Sequence, residues 1–345
     1  MKLKFKLLTL FLILVSFSAM AGKGEYSRHI HRAFLKSGVT ALNLQNKFGE
    51  ITINDSGGDS VTIDVKIVVE NAYEGKAEYL LRQINIAISK SGKTVTAETN
   101  ISSDFKTKQN FSINYKVNIP ANCDLDISNK YGSLSVAKLE ARGKFDIAYG
   151  NITTGSMNTP DNSSVLLNLS YGKADMEDVN KLNAEIKYSK LYMDKIDYLQ
   201  LDSKYSSMSI DEVGELNTTS KYDGFSIDRA GSVSAESKYT HYSIGDLQKK
   251  FILTSEYGNV DVEKVESDFE MIDITSSYGG IKLGLDDRSY NLQAECTYCG
   301  INYPQERFVG NKEKDNQNIK LDGQVGKGTG IVHIVSRYGG VKLSK

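Results

Sequence analysis

Residues 199–239, LQLDSKYSSMSIDEVGELNTTSKYDGFSIDRAGSVSAESKY, place Tyr205, Tyr222 and Tyr239 at intervals of 17 residues with the same surroundings each time. Apolar or small residues stand six, four and two positions before each tyrosine and three, five and eight positions after it. Around Tyr205 these are Leu199, Leu201, Ser203, Met208, Ile210 and Val213; around Tyr257 they are Phe251, Leu253, Ser255, Val260, Val262 and Val265. Alternation with period two is the signature of a strand with one face buried. Three gaps of three residues interrupt the alternation within each repeat, and at each the chain must turn. A strand with three corners that returns to the same pattern every 17 residues is one rung of a solenoid.

The beat extends outward in both directions. Tyr131, Tyr149, Tyr171, Tyr188, Tyr257, Tyr278, Tyr298 and Tyr338 continue it, so that eleven of twenty tyrosines stand in the column, and Phe48 in NKFGEITI is an earlier member. Rungs of this kind stack in parallel at about 4.7–4.9 Å. Parallel crossovers favour the right hand, so the expectation is an all-β, right-handed parallel β-helix with rungs of 17–22 residues, a left-handed coil being the alternative. A lone rung cannot repay its chain entropy, at about 1–2 kcal/mol per residue, and only stacking makes the sum favourable.

Two intervals break the beat. Between Phe48 and Tyr131, residues 66–120 read as an inserted β-rich cap with helical spacing near Ala77 to Leu81 and strands in KTVTAET and FSINYKVNIP. Such a cap would cover an exposed sheet edge. Between Tyr298 and Tyr338, residues 304–330 read as a long loop within a rung, ending in the strand-like run IKLDGQ. The last repeat, IVSRYGGVKLSK, has no evident cap and leaves the C-terminal edge as a candidate surface for a homo-oligomer.

Residues 1–21, MKLKFKLLTLFLILVSFSAMA, combine three lysines, an apolar stretch and Ala19-Met20-Ala21, the pattern of a cleaved secretory signal peptide. Cleavage would leave residues 22–345 as one adhesin-like domain with 39 basic and 43 acidic side chains, which is no nucleic-acid signature. No second apolar segment is long enough for a transmembrane helix. The expected location is therefore the periplasm, the cell surface or the medium.

By parity the tyrosines point inward, as a buried aromatic ladder at a corner followed by Gly132, Gly150, Gly172, Gly258, Gly279 or Gly339. A second column two positions earlier, Ser203, Ser220, Ser237, Ser255, Ser276 and Ser336 with Asn46 and Asn129 before them, reads as small residues packed against large ones. No histidine or carboxylate recurs beside it to activate a nucleophile. Cys296 and Cys299 in CTYC could form a local disulfide, bind metal, act as a redox pair or stay free, and Cys123 is left unpaired. Outward positions carry Glu185 and Lys187, Asp202 and Lys204, Thr219 and Lys221, Glu236 and Lys238. They read as a solvated charge lattice or as a strip for an acidic glycan. His29 and His31 share a strand face without a visible third metal ligand; His241 and His333 are isolated. No catalytic, metal or cofactor-binding residue is expected, and no cofactor.

The signal peptide, NKFGEITI, FSINYKVNIPANCDLDISNKYGSLSV and the succession SKYSSMSI, SEYGNVDV and SSYGGIKL resemble the putative-adhesin, or toastrack-like, family of exported bacterial proteins, a domain of unknown function. The resemblance implies a right-handed β-helix at the bacterial surface or in the periplasm and lends no catalytic residue. Together these readings lead to a non-enzymatic exported scaffold that binds a glycan or protein of the cell envelope. The second reading is an envelope-stress signalling component that associates with membrane proteins.

Overall fold

The computed structural model describes residues 15–20, 24–160 and 163–344, in two compact units, 1–137 and 138–345. The second is a β-solenoid. Its centre is a run of strands, Lys173–Lys187, Lys190–Lys204, Ser207–Lys221, Gly224–Lys238 and His241–Glu256. Each pairs with the next in parallel at a register of 17 residues, Lys173 facing Lys190, Lys190 facing Ser207, Ser207 facing Gly224 and Gly224 facing His241, until a shift between Ala230 and Ser232 sets Ser232 opposite Lys250. Equivalent residues therefore stack in columns, and Leu182, Leu199, Leu216, Val233 and Phe251 form one that is wholly buried. Pairing lapses at Asp194 and Asp197, at the equivalent Asp211 and Gly214, and again at Asp228 and Gly231. These are two of the corners expected from the gaps of three; the tyrosine marks the third.

At the third corner the inward expectation for the tyrosines is overturned. In this unit their side chains are 41–51 % exposed. Each strand ends one residue earlier, as Ser207–Lys221 does before Tyr222, and the tyrosine takes a left-handed backbone conformation. A positive φ swings Cβ out of the pleat, so alternation fails at that one residue. The next residue points inward instead: Ser189, Ser206, Asp223 and Thr240 are buried. Of thirteen non-glycine residues with positive φ among the described residues, eleven are these tyrosines, with Phe48 and Asp287 the others.

Where glycine follows the tyrosine, the reason is a close backbone approach between rungs. A Cβ on Gly279 would lie 1.8 Å from the Gly258 carbonyl oxygen, and one on Gly258 1.9 Å from that of Thr240.

The far end of this unit is not assembled in chain order. Gly330–Arg337 pairs in parallel with Met271–Ser277 on one side and with Tyr290–Thr297 on the other. The last repeat is thus threaded between two earlier rungs. Residues 304–330, expected as a loop, contain the antiparallel strands Phe308–Lys314 and Asn318–Val325, and the second pairs antiparallel with Tyr290–Thr297. Leu321 and Val325 are buried there. The C-terminal strand is therefore interior, and the expected homo-oligomer edge does not exist at that place; a hairpin covers Tyr290–Thr297 instead.

In the first unit, Ala41–Lys47 lies in parallel between Thr94–Ile101 and Asp124–Lys130. Ile51–Asp55 pairs in parallel with Phe111–Ile119 and with residues 134–136. Phe111–Ile119 also pairs antiparallel with Ser60–Glu70, and that strand with Glu25–Leu35. The helix Glu74–Arg82 buries Ala77, Leu80 and Leu81, as its spacing predicts. Of the expected signal peptide, residues 1–14 and 21 lie outside the described residues, and Val15–Met20 pairs antiparallel with Glu25–Leu35.

The glycine column gives a direct test of rung spacing. Gly279→Ala should cost at least the 1–3 kcal/mol of ordinary overpacking, because the obstacle is backbone. Gly224 has open space around its would-be Cβ, so Gly224→Ala should be neutral or gain up to about 1 kcal/mol. Urea titration of the two variants measures the contrast; equal midpoints would contradict the stacking.

Candidate binding surface

In the second unit the exposed rings form one continuous stack. In spatial order they are Tyr149, Tyr171, Tyr188, Tyr205, Tyr222, Tyr239, Tyr257, Tyr278, Tyr338 and Tyr298, with neighbouring centroids 4.7–5.0 Å apart and planes within 13° of parallel. Ten rings at the rung spacing span roughly 43 Å. The stack follows from the backbone. Tyr188 N–H donates to Lys204 O at 3.0 Å, Tyr205 to Lys221 at 3.1 Å and Tyr222 to Lys238 at 3.0 Å, so the ladder continues through the turn and fixes every ring above its equivalent. In the first unit Phe48 stacks on Tyr131 at 5.1 Å.

Stacking decides what the surface offers. Ring faces are taken up by neighbouring tyrosines, so a ligand meets a row of ring edges and phenol hydroxyls. Lys187, Lys204, Lys221 and Lys238 run beside it, with Lys221 Nζ 5.5 Å from the Tyr222 centroid and the Arg337 guanidinium 5.2 Å from that of Tyr338. Some of these cations are partly neutralised: Lys187 pairs with Glu185, and Lys238 with Glu256 at 3.0 Å. Exposed pairs of this kind contribute little to stability, being screened by solvent.

Behind the rings lies a hydrogen-bonded seam. Ser189 Oγ accepts from Gly172 N–H at 3.1 Å, Ser206 Oγ from Ser189 N–H at 3.3 Å, and Asp223 Oδ1 from Ser206 N–H at 2.7 Å. The serines two positions before the tyrosines face the same seam. Ser203 donates to Asp223 Oδ2 at 2.8 Å, Ser220 meets the Tyr242 hydroxyl at 3.1 Å, and Ser237 donates to Ser255 at 3.2 Å. Their small volume and burial serve packing, as the column predicts. Cys296 and Cys299 occupy the same two inward positions around Tyr298 and are joined by a disulfide. Cys123 is buried and free.

Protonation in the interior is displaced by burial. The Tyr242 and Tyr115 hydroxyls are both pushed up to about 12, and Tyr290 is pushed up further. Asp223 is also held above the ordinary carboxylate range, burial outweighing the hydrogen bonds from Ser203, Ser206 and Lys221. Elsewhere, His31 Nδ1 donates to Asp64 at 2.6 Å, His333 Nδ1 to Asp273 at 2.8 Å, and His241 Nδ1 lies 3.1 Å from the Asn259 carbonyl. His29 sits 3.4 Å from Ser27. Among the described residues no three His, Cys, Asp or Glu side chains converge in a way that could hold a metal ion.

No protein-family model matches the chain, and no curated protein matches it. Among solved structures, a putative cell adhesion protein from Clostridium sporogenes aligns over 92% of this chain and 99% of its own, at 10% identity and a TM-score of 0.23. A putative adhesin from Parabacteroides merdae aligns over 74% of this chain and 95% of its own, at 14% identity and a TM-score of 0.36. A putative lipid binding protein from Parabacteroides distasonis aligns over 74% and 96%, at 12% identity and a TM-score of 0.37.

Two predictions follow the two sides of the corner. Tyr205→Asn removes two ring contacts at about 0.5–1.5 kcal/mol each but puts an αL-tolerant residue at the turn; the net loss should stay below that of Leu216→Ala, which empties a wholly buried site at about 2–5 kcal/mol. Denaturant midpoints in the opposite order would restore an inward assignment. For Asp223 the folded-state pKa is raised, so ionisation opposes folding above that pKa and the penalty fades as pH falls through it toward the unfolded value. Relative to wild type, Asp223→Ser should therefore be most favoured near neutral pH and lose that advantage progressively on acidification. Unfolding free energies of both proteins across this range test the sign; an advantage that grows in acid contradicts it.

Proposed function

We propose that the chain is a non-enzymatic exported scaffold whose second unit binds an extended partner, a glycan or a protein of the cell envelope, along the tyrosine ladder. The observation that carries this reading is the exposure of ten tyrosines on a backbone conformation that tyrosine does not favour. A left-handed conformation costs an L-residue about 1–2 kcal/mol. One stacked pair per rung returns about 0.5–1.5 kcal/mol. The two nearly cancel, and glycine or asparagine would make the same turn without strain. Stability alone therefore does not account for a tyrosine at every one of these corners, whereas a straight row of amphipathic edges about 43 Å long suits a linear partner.

Export is supported by the signal-like N-terminus and by the Cys296–Cys299 disulfide, a bond that persists in oxidising compartments. The non-enzymatic reading is supported by where the groups raised by burial lie. Tyr115, Tyr242, Tyr290 and Asp223 are all buried.

Binding to a panel of purified bacterial surface polysaccharides, measured by biolayer interferometry, tests the reading. The triple variant Tyr205→Asn, Tyr222→Asn, Tyr239→Asn keeps residues suited to the turn and should weaken the best interaction at least about tenfold, a loss of roughly 1.4 kcal/mol, while circular dichroism stays that of the parent. Unchanged binding by the triple variant, or release of shortened polysaccharide, would overturn it.

A further inference from the structure

We infer that the tyrosine ladder is a site of oxidative modification, in which neighbouring rings become joined as dityrosine and the rungs are stapled covalently. The reaction needs two phenols held together, accessible to a one-electron oxidant. The second unit supplies nine such neighbouring pairs, each with centroids 4.7–5.0 Å apart and near-parallel planes, on side chains 41–51 % exposed. In-register stacking also repeats each ring one rung away in nearly the same orientation, so the ortho carbons of successive rings stand about one rung spacing apart.

The co-reactant is a haem peroxidase working with hydrogen peroxide. Each of two neighbouring tyrosines gives one electron to the oxidant and its hydroxyl proton to solvent, leaving a phenoxyl radical. The two radicals join through their ortho carbons, forming one carbon–carbon bond. The hydrogen on each of those carbons then moves to the phenol oxygen, and both rings regain aromaticity. Two electrons and two protons have left the pair, and one hydrogen peroxide that accepts them becomes two waters. Unlike a chance encounter in solution, both partners are already positioned. An effective concentration of millimolar or more favours coupling within one molecule by about a thousandfold over coupling between molecules at micromolar protein.

The threaded end gives this chemistry a structural consequence. Tyr338 lies between Tyr278 and Tyr298, at 4.9 and 5.0 Å. Coupling there would lock Gly330–Arg337 between Met271–Ser277 and Tyr290–Thr297, closing loops of tens of residues in the way a disulfide does.

Treatment of the folded protein at about micromolar concentration with horseradish peroxidase and hydrogen peroxide, followed by dityrosine fluorescence and mass-spectrometric peptide mapping, tests the inference. Expected are monomers carrying cross-links between ring neighbours such as Tyr188 with Tyr205 and Tyr205 with Tyr222, and, at the threaded end, Tyr278 with Tyr338 and Tyr298 with Tyr338 but not Tyr278 with Tyr298. A variant with Tyr171, Tyr205, Tyr239, Tyr278 and Tyr298 each changed to Phe keeps the ring stack but leaves two phenols in none of the nine pairs of the second unit. Its intramolecular dityrosine at these positions, read by peptide mapping, should fall to the level given by the wild-type chain unfolded in urea. Cross-links mainly between molecules, a yield from the folded protein no higher than from the unfolded chain, or an undiminished yield in the Phe variant would each overturn the inference. These outcomes are independent of whether the ladder binds a polysaccharide.

Discussion

In-register parallel pairing is the constraint from which the rest of this molecule follows. Because Lys190 faces Ser207 and Ser207 faces Gly224 through a hydrogen-bonded ladder that lapses only at the corners, every choice made at one rung position is repeated about 5 Å away. A leucine column becomes a continuous core and a corner becomes a groove or a rib. The same repetition amplifies small incompatibilities. A Cβ that would be harmless on an isolated turn lands 1.8 Å from a carbonyl when the turn below it is also tight, and glycine is then required at that rung and again at the next.

The architecture was largely legible because it rests on such repetition. Strand sides, corner positions after Ile210 and Val213, the buried serine column and the helix over Ala77, Leu80 and Leu81 all express a period that residue types carry openly. The direction of the tyrosines was not legible. Alternation assigns Ser203 inward, Lys204 outward and Tyr205 inward, and only the backbone reveals that the strand stops at Lys204 and that Tyr205 turns left-handed. A signal was nonetheless present in the following residue. Gly, Ser, Asp and Thr at that place are inward-facing turn residues that fit and bond the corner backbone, so the gap of three lies before them and skips the tyrosine. A positive φ is uncommon for a bulky aromatic residue, and strict alternation carries no mark of it.

The threaded end was hidden for a different reason. Periodicity records which segments are rungs, but rungs that share one pattern are interchangeable as to order. Nothing in the local sequence of Gly330–Arg337 says that it pairs with Met271–Ser277 and with Tyr290–Thr297 at once. The decisive information lies in residues 304–330, whose alternation is that of a hairpin: Leu321 and Val325 face inward, and Asp315 accepts the N–H groups of Gln317 and Asn318 to close the turn. A hairpin that pairs antiparallel with Tyr290–Thr297 covers that strand's free edge and answers the hazard every solenoid faces at its end. The chain then has to come back to fill the remaining slot.

That arrangement bears on how the exposed ladder came to be continuous. Had the last repeat been added at the end, Tyr298 would neighbour Tyr278 and the terminal rung would rest on one neighbour only. With the repeat inserted, Tyr338 bridges them and the stack runs unbroken past the point where chain order is violated. Stacking at about 0.5–1.5 kcal/mol per pair is too weak to have dictated the threading, which is held by two flanking ladders of backbone hydrogen bonds. The continuity of the rings is therefore a consequence of backbone register, and the identity of the residue at each corner is the part left for selection to act on. Tyrosine is the side chain that stacks like an apolar ring while keeping a hydroxyl in water, and a row of hydroxyls on a rigid rib is what distinguishes this surface from the charged lattice beside it.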